Sequence, residues 1–107
     1  MPTNKMRMIH PGEILADELA ALDNISANQF AKYIGVPTNR VTGILNKQRA
    51  ITADTALRLS KFFGTTAEFW LNLQDAYDIK LAQQKSGKQI EREVLYFGDI
   101  TELKIAV

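Results

Sequence analysis

Polar side chains gather between positions 38 and 49 of this sequence, and their types suit one kind of chemistry. On a helical wheel at about 100 degrees per residue, Val41, Ile44 and Leu45 share one face, and Gln48 falls with them. The opposite face consists of hydrogen-bonding residues and one glycine. Thr38 before this face and Arg49 after it are added to the set. The predicted polar set is then Thr38, Asn39, Arg40, Thr42, Gly43, Asn46, Lys47 and Arg49.

These residue types are the ones that read double-stranded DNA. Asparagine pairs bidentately with adenine and arginine with guanine in the major groove, so Asn39 and Arg40 are predicted to contact bases. The two threonines could meet a thymine methyl group, a base edge or a phosphate, and the sequence does not decide among these. Gly43 leaves a spot without a side chain, where a base pair or the sugar-phosphate backbone could approach closely. The residues expected to position the DNA backbone are Asn46, Lys47 and Arg49.

The charge distribution locates the same stretch. The whole chain is nearly neutral, with thirteen basic and twelve acidic residues. Residues 25–64 nevertheless hold six basic residues against one acidic residue, Asp54, while the segments on either side are net acidic. A localised basic region is expected where a protein contacts phosphates. The alternative is a solvated helical bundle whose basic residues only keep it soluble, and the coincidence of charge and polar face disfavours it.

Other kinds of chemistry find little support in the sequence. Cysteine is absent and His10 is the single histidine, which excludes disulfides, thiolate zinc sites and a two-histidine metal box. No glycine-rich phosphate loop is present. His10 precedes Pro11, Gly12 and Glu13, a pattern typical of a helix start rather than of a catalytic site. We therefore predict a protein that is not an enzyme and has no catalytic residue, metal or cofactor.

The chain is expected to form one cytoplasmic domain. Its 107 residues, 46% of them hydrophobic, suit a single packed core. No apolar run reaches the length of a membrane span or of a signal-peptide core, so we predict no contact with a membrane.

Apolar periodicity and capping residues predict five helices. They are residues 11–23, a segment from Ser26 to Gly35, a segment opened by Val36 and Pro37, a segment from Thr52 to Gly64, and a long helix capped by Thr65 or Thr66. The second and third helices can cross steeply, as in a helix-turn-helix, because Ala31 is small and Gly35 allows a left-handed turn. The spacing of Thr65 and Glu68 also fits a capping box.

The fifth predicted helix is apolar almost all round. One small core cannot cover so broad an apolar surface, so we predict that a second copy of the chain covers part of it in a homodimer. Trp70 could stack on single-stranded nucleic acid, but its helical spacing with Phe69 and Leu73 favours the core or the dimer interface.

The composition changes near residue 86, which predicts a helix-turn-helix domain over residues 1–85 and a C-terminal tail over residues 86–107. Residues 94–97 are apolar, and a second apolar set alternates as in a strand. That set is Leu103, Ile105 and Val107. We expect residues 94–107 to pair as a strand with the tail of a second copy or with the edge of a partner's sheet. The alternative is a disordered tail.

Several segments resemble the HigA/VapI antitoxins, a branch of the Xre-type helix-turn-helix proteins. They are HPGEIL (10–15), ILN (44–46), ITADTALRL (51–59), FFGTTAEFWLNLQ (62–74) and the pair Tyr77 and Asp78. The resemblance covers about residues 9–83, and the WLNLQ block is fairly specific to this branch. It implies an all-α, five-helix domain similar to those of the Xre and lambda repressors, usually dimeric.

The resemblance also implies a function and a set of site residues. The function is that of a type II antitoxin, which binds a HigB/RelE-type ribosome-dependent ribonuclease toxin and represses its own operon at a palindromic operator. The positions that match the family's DNA-binding residues are Thr38, Asn39 and Arg40 at the start of the recognition helix, Thr42 one turn later, Asn46 late in the helix and Arg49 in the following loop.

Two positions depart from the family pattern. Ala27 stands where many Xre proteins have glutamine, so the phosphate and bracing contact of that residue is missing or comes from Asn28 or Gln29. Lys47 stands where glycine is common.

Two other functions remain open at this point. A stand-alone Xre-type repressor would lack a toxin partner, and a small basic ribonuclease-like reading frame beside the gene would argue against it. The second is a module that neutralises a toxin without binding DNA, and the only residue that hints at it is Ala27. A gel shift with the gene's own upstream DNA would distinguish this module from a DNA-binding antitoxin.

Overall fold

The computed structural model describes residues 7–100, which fold into five α-helices and one short 3-10 turn. The helices are α1 (Pro11–Ala21), α2 (Ala27–Ile34), α3 (Thr38–Leu45), α4 (Ala53–Phe63) and α5 (Ala67–Glu93), and the 3-10 turn is Phe97–Asp99. The predicted all-α, five-helix class is confirmed. Residues 7–100 contain no strand, and none of their helices is both long and apolar enough to cross a membrane.

Local capping sets the bounds of α2 and α4, as the sequence predicts. Ser26 and Thr52 are the N-caps, and each side chain accepts a hydrogen bond from a backbone N–H in the first turn of its helix. Gly35 and Gly64 end the two helices in left-handed backbone, at φ values of 74° and 76°. Glycine reaches this conformation without the Cβ clash that other residues meet, so both ends are fixed by local sequence.

The start of α5 is decided between two neighbouring threonines. Thr66 is the N-cap, because its hydroxyl accepts a hydrogen bond from the backbone N–H of Phe69 at 3.0 Å. The capping box expected from Thr65 and Glu68 is therefore not formed. Thr65 instead accepts a hydrogen bond from Nε1 of Trp70 at 2.9 Å, which ties the start of the helix to the core.

One apolar core joins the helices. It consists of Leu15, Leu19, Phe30, Ala31, Ile34, Val41, Ile44, Ile51, Ala56, Leu59 and Trp70. Around it α1 packs against α3 and α5, α2 packs against α3 and α4, and α4 packs against α5. Trp70 is 1% exposed and belongs to this core, which is one of the two places predicted for it.

Two helix ends differ from the sequence prediction. The first helix is two residues shorter than predicted, because Asp23 and Asn24 adopt left-handed backbone at φ values of 59° and 56°. At the other end of the chain, α5 crosses the expected boundary at residue 86 and continues through Gly87 to Glu93. Most of residues 88–93 are good helix formers, which offsets the cost of about 1 kcal/mol for one glycine in a helix.

The C-terminal half of α5 extends away from the core. The described residues measure 61 × 32 × 22 Å. Beyond the helix, residues 94–97 are exposed, between 64% and 73%, and they form no strand. The other half of the predicted strand, with Leu103, Ile105 and Val107, lies outside the described residues. Pairing of this tail with a second chain stays a prediction.

Candidate nucleic-acid interface

Helix α3 turns its polar face outward because its apolar residues anchor it in the core. Val41 and Ile44 are each 1% exposed. The turn from α2 into α3 is closed by a hydrogen bond from the backbone N–H of Val36 to the carbonyl of Ala31 at 3.0 Å, and Ala31 is fully buried. The two short helices and this turn form the predicted helix-turn-helix.

A polar groove runs along the outer face of α3 and the loop that follows it. It is lined by Asn39, Thr42, Gly43, Asn46, Gln48 and Arg49. Five of these six residues belong to the set predicted from the sequence. The other three predicted residues, Thr38, Arg40 and Lys47, do not line the groove.

Gln48 is the groove residue that sequence reasoning missed, because the helical wheel placed it on the apolar face. Helical periodicity does not apply at position 48, because α3 ends at Leu45 and Lys47 adopts left-handed backbone at a φ of 64°. The backbone N–H groups of Gln48 and Arg49 then both donate to the carbonyl of Gly43, at 2.8 and 3.1 Å. The usable signal was position 47, where the resembled family commonly has glycine, the residue best suited to positive φ.

Gly43 makes room for the side chain of Arg49. A Cβ atom at position 43 would lie 3.2 Å from Cβ of Arg49 and 3.6 Å from its Cδ. The space expected to be open for DNA is therefore covered by an arginine stem in the unbound protein. Close approach of DNA at Gly43 requires Arg49 either to move or to take part in the contact.

Thr38 connects the two helices of the motif. Its hydroxyl donates a hydrogen bond to Oδ1 of Asn28 at 2.7 Å. Asn28 lies in the first turn of α2, directly after Ala27, where the sequence departs from the family pattern. Of the two residues that could replace the missing glutamine, Asn28 is thus placed to brace α3.

Arg40 and Lys47 are engaged by acidic residues of neighbouring helices. Nη1 of Arg40 lies 2.5 Å from Oδ2 of Asp54 in α4, and Nζ of Lys47 lies 3.4 Å from Oε2 of Glu13 in α1. Periodicity could not reveal these pairs, because the partners lie on other helices. Two of the predicted DNA-contacting cations are therefore partly neutralised within the chain.

Both acidic partners are held in their charged form. The hydrogen bond from Arg7 and that from the backbone N–H of His10 lower the pKa of Glu13 to about 2. The hydrogen bonds from Arg58 and Arg40 lower the pKa of Asp54. A carboxyl group whose pKa lies below its ordinary value is ionised throughout the neutral range. The ion pairs around α3 are therefore insensitive to pH near neutrality.

His10 has a structural role at the start of α1. It is 3% exposed, and its Nδ1 accepts a hydrogen bond from the backbone N–H of Gly12 at 2.9 Å. Its ring packs edge-on against Tyr77 with the centroids 4.8 Å apart. Burial, with a smaller effect from the charge of Lys47, lowers the pKa of the imidazole. The predicted helix start at this histidine is confirmed.

Two contacts seat the end of α3 and its loop on the rest of the domain. Gly12 of α1 lies directly against the carbonyl oxygen of Ile44, so closely that no Cβ atom fits between them. From α5, the buried Gln74 accepts a hydrogen bond from the backbone N–H of Ile51 at 2.8 Å and donates one to Asp78. The groove-lining loop is thus held between α1 and α5.

Comparison with known proteins agrees with this geometry. Residues 18–70 match the family model described as helix-turn-helix. Virulence-associated protein I of Dichelobacter nodosus is 51% identical over 81 residues, which cover 76% of this chain and 75% of that protein.

Two solved structures extend the comparison to the whole fold. An addiction module antidote protein of a HigA family from Coxiella burnetii is 73% identical with a TM-score of 0.85, covering 86% of this chain and 100% of the other. The Pseudomonas aeruginosa antitoxin HigA, solved with the higBA promoter, is 44% identical with a TM-score of 0.81, covering 85% and 99% of the two chains. The chain therefore belongs to the HigA/VapI antitoxins, a branch of the Xre-type helix-turn-helix family.

Proposed function

We propose that this protein represses its own operon by binding a palindromic operator through α3, and that it neutralises a HigB-type ribonuclease toxin. The observation that carries the DNA-binding half is the polar groove, which lies on the outer face of a helix whose inner face is anchored in the core. Family membership and the promoter in the P. aeruginosa HigA structure support it.

The contacts divide into base readout and backbone positioning. Asn39, at the exposed start of α3, is proposed to pair with a base, and Thr42 and Gln48 line the same groove. Thr38 and Arg40 flank this surface on the α2 and α4 sides. The residues proposed to position the DNA backbone are Asn46, Lys47 and Arg49.

Replacement of Asn39 by alanine should weaken binding to the operator and relax the preference at one base pair. The expected loss is about 1 to 3 kcal/mol, because the bidentate pair with one base is removed. Fluorescence anisotropy with the gene's own upstream DNA, and with single-base variants of it, measures both effects. Unchanged affinity and base preference would reject α3 as the reading helix.

Arg49→Ala provides the contrast in the same assay. If Arg49 contacts phosphate, its loss should weaken binding to all sequences alike and lower the slope of log affinity against log salt by about one. Lys85→Ala removes an equal charge from the distal part of α5 and should leave the slope unchanged. A loss at Arg49 confined to particular bases would move this residue into the readout set.

The α5 groove supports the proposed homodimer. This groove is lined by Ile79, Ala82, Gln83, Gly87, Ile90 and Glu91, on the part of the helix that extends beyond the core. Ile79 and Ile90 are 58% and 49% exposed. In an antiparallel dimer, Ile79 of one chain would pack against Ile90 of the other, and the small residues Ala82 and Gly87 would allow the two helices to approach closely.

Sedimentation should therefore show a dimer at micromolar concentration without DNA or toxin. Ile90→Glu should shift the protein toward monomer, because it places a charge in a groove that the second copy would bury. Gln84→Glu, the same change in charge outside the groove, should not. A wild-type monomer would refute the dimer and, with it, simultaneous reading of two half-sites about 34 to 36 Å apart.

The toxin half of the proposal is tested by co-expression with the product of the neighbouring reading frame. An antitoxin should rescue growth and co-purify with that product. Operator binding without rescue would favour a stand-alone repressor, and rescue without operator binding would favour a toxin-neutralising module that does not bind DNA.

A further inference from the structure

Asp54 occupies an unusual place in the basic middle of the chain. It is the single acidic residue among residues 25–64, and it lies in the first turn of α4 beside the start of the recognition helix. Its side chain is 57% exposed. An exposed negative charge beside a proposed DNA-binding face repels phosphate, so a role in binding strength alone would not explain it.

Two arginines converge on this carboxylate. Oδ2 of Asp54 lies 2.5 Å from Nη1 of Arg40 and 2.9 Å from Nε of Arg58. Nη1 of Arg58 in turn donates to the carbonyls of Ile34 and Gly35, at 3.0 and 3.2 Å. The carboxylate is thereby fixed to the end of α2, and it holds the Arg40 side chain of α3.

This arrangement leaves one edge of the Arg40 guanidinium available. Nη1 is bound to Asp54, and the guanidinium forms no other hydrogen bond or ion pair within residues 7–100. The Nε–H and Nη2–H groups form a second pair of parallel donors, which matches the O6 and N7 acceptors of guanine. Arg40 can therefore pair with a base without leaving Asp54, and part of its side-chain conformational entropy is lost before DNA arrives.

We infer that Asp54 is a specificity-determining residue that acts through Arg40. It orients the guanidinium toward a base edge, and its charge weakens binding to DNA that offers only phosphates. This inference deepens the proposed function and rests on it. Asp54 touches no DNA in this scheme, so it is a positioning residue.

The Asp54→Asn variant should change two affinities in opposite senses. Binding to a scrambled duplex should become about threefold tighter, because a negative charge near the phosphates is lost. The ratio of operator to scrambled affinity should fall about tenfold, because Arg40 loses its orientation. Titration of both duplexes at one salt concentration measures the ratio. Asp17→Asn, which removes an exposed charge from α1, should leave the ratio unchanged.

A double-mutant cycle tests whether Arg40 carries the effect. In an Arg40→Ala background, Asp54→Asn should still tighten non-specific binding but should no longer change the operator ratio. An unchanged ratio for Asp54→Asn, or an equal fall in the Arg40→Ala background, would overturn the inference.

Thermal unfolding of each variant shows whether the fold is intact, and Asp54→Glu should restore part of the ratio if Asn destabilises the protein. If the wild-type protein does not distinguish operator from scrambled DNA, the proposed function itself fails.

Discussion

Replacement of Gly12 by alanine is expected to be the most damaging single-methyl change in this chain. A Cβ atom at position 12 would overlap the carbonyl oxygen of Ile44, at the end of α3. Backbone atoms on both sides of the contact leave no flexible side chain to yield, so α1 must move away from α3. We expect a loss of about 3 kcal/mol or more, at the upper end of the range for overpacked sites.

Urea denaturation followed by circular dichroism measures this loss. Alanine is the better helix former, by about 1 kcal/mol in a helix interior, so helix propensity alone predicts the opposite sign. Ala16→Gly, at an exposed site in the same helix, gives the propensity effect by itself. A Gly12→Ala variant as stable as the wild type would show that α1 does not lie against Ile44 in this way.

The second large effect is expected at Trp70. This side chain is fully buried, and its ring packs against Phe63 and Phe69 with centroids 5.7 and 5.2 Å away. Trp70→Ala should cost about 3 to 5 kcal/mol, the usual range when a large aromatic residue is removed from a core. Phe69→Ala is the matched control on the same helix turn, and it should cost much less because Phe69 is 43% exposed.

Trp70→Phe removes the hydrogen bond together with part of the packing. This variant keeps an aromatic ring but loses the donor to Thr65 and some ring volume, so it should cost more than the ~1 kcal/mol of a hydrogen bond alone and less than Trp70→Ala. Trp70 is the single tryptophan, so its fluorescence reports on its surroundings directly. An emission maximum of exposed indole in the folded protein, or quenching by single-stranded DNA, would support the stacking role that the structure disfavours.

Local sequence signals are enough to predict the bounds of α2 and α4 and the inward face of α3. The helix starts are set by capping hydrogen bonds to the side chains of Ser26 and Thr52, and the helix ends by left-handed backbone at Gly35 and Gly64. Each signal acts within one turn of its own position. Such signals need no information from distant parts of the chain. The inward position of Val41 follows in the same way from helical periodicity.

Only the packing of the helices shows which polar residues share the groove and which are bound to other helices. Arg40 binds Asp54 of α4, which lies 14 residues further along the chain, and Lys47 binds Glu13 of α1. No local sequence pattern encodes such contacts between helices. Gln48 lines the groove because the backbone at Lys47 is no longer helical, so the helical wheel does not predict the direction of the Gln48 side chain. Periodicity describes a side chain only while its helix continues, and the surroundings of a charge depend on how separate helices pack.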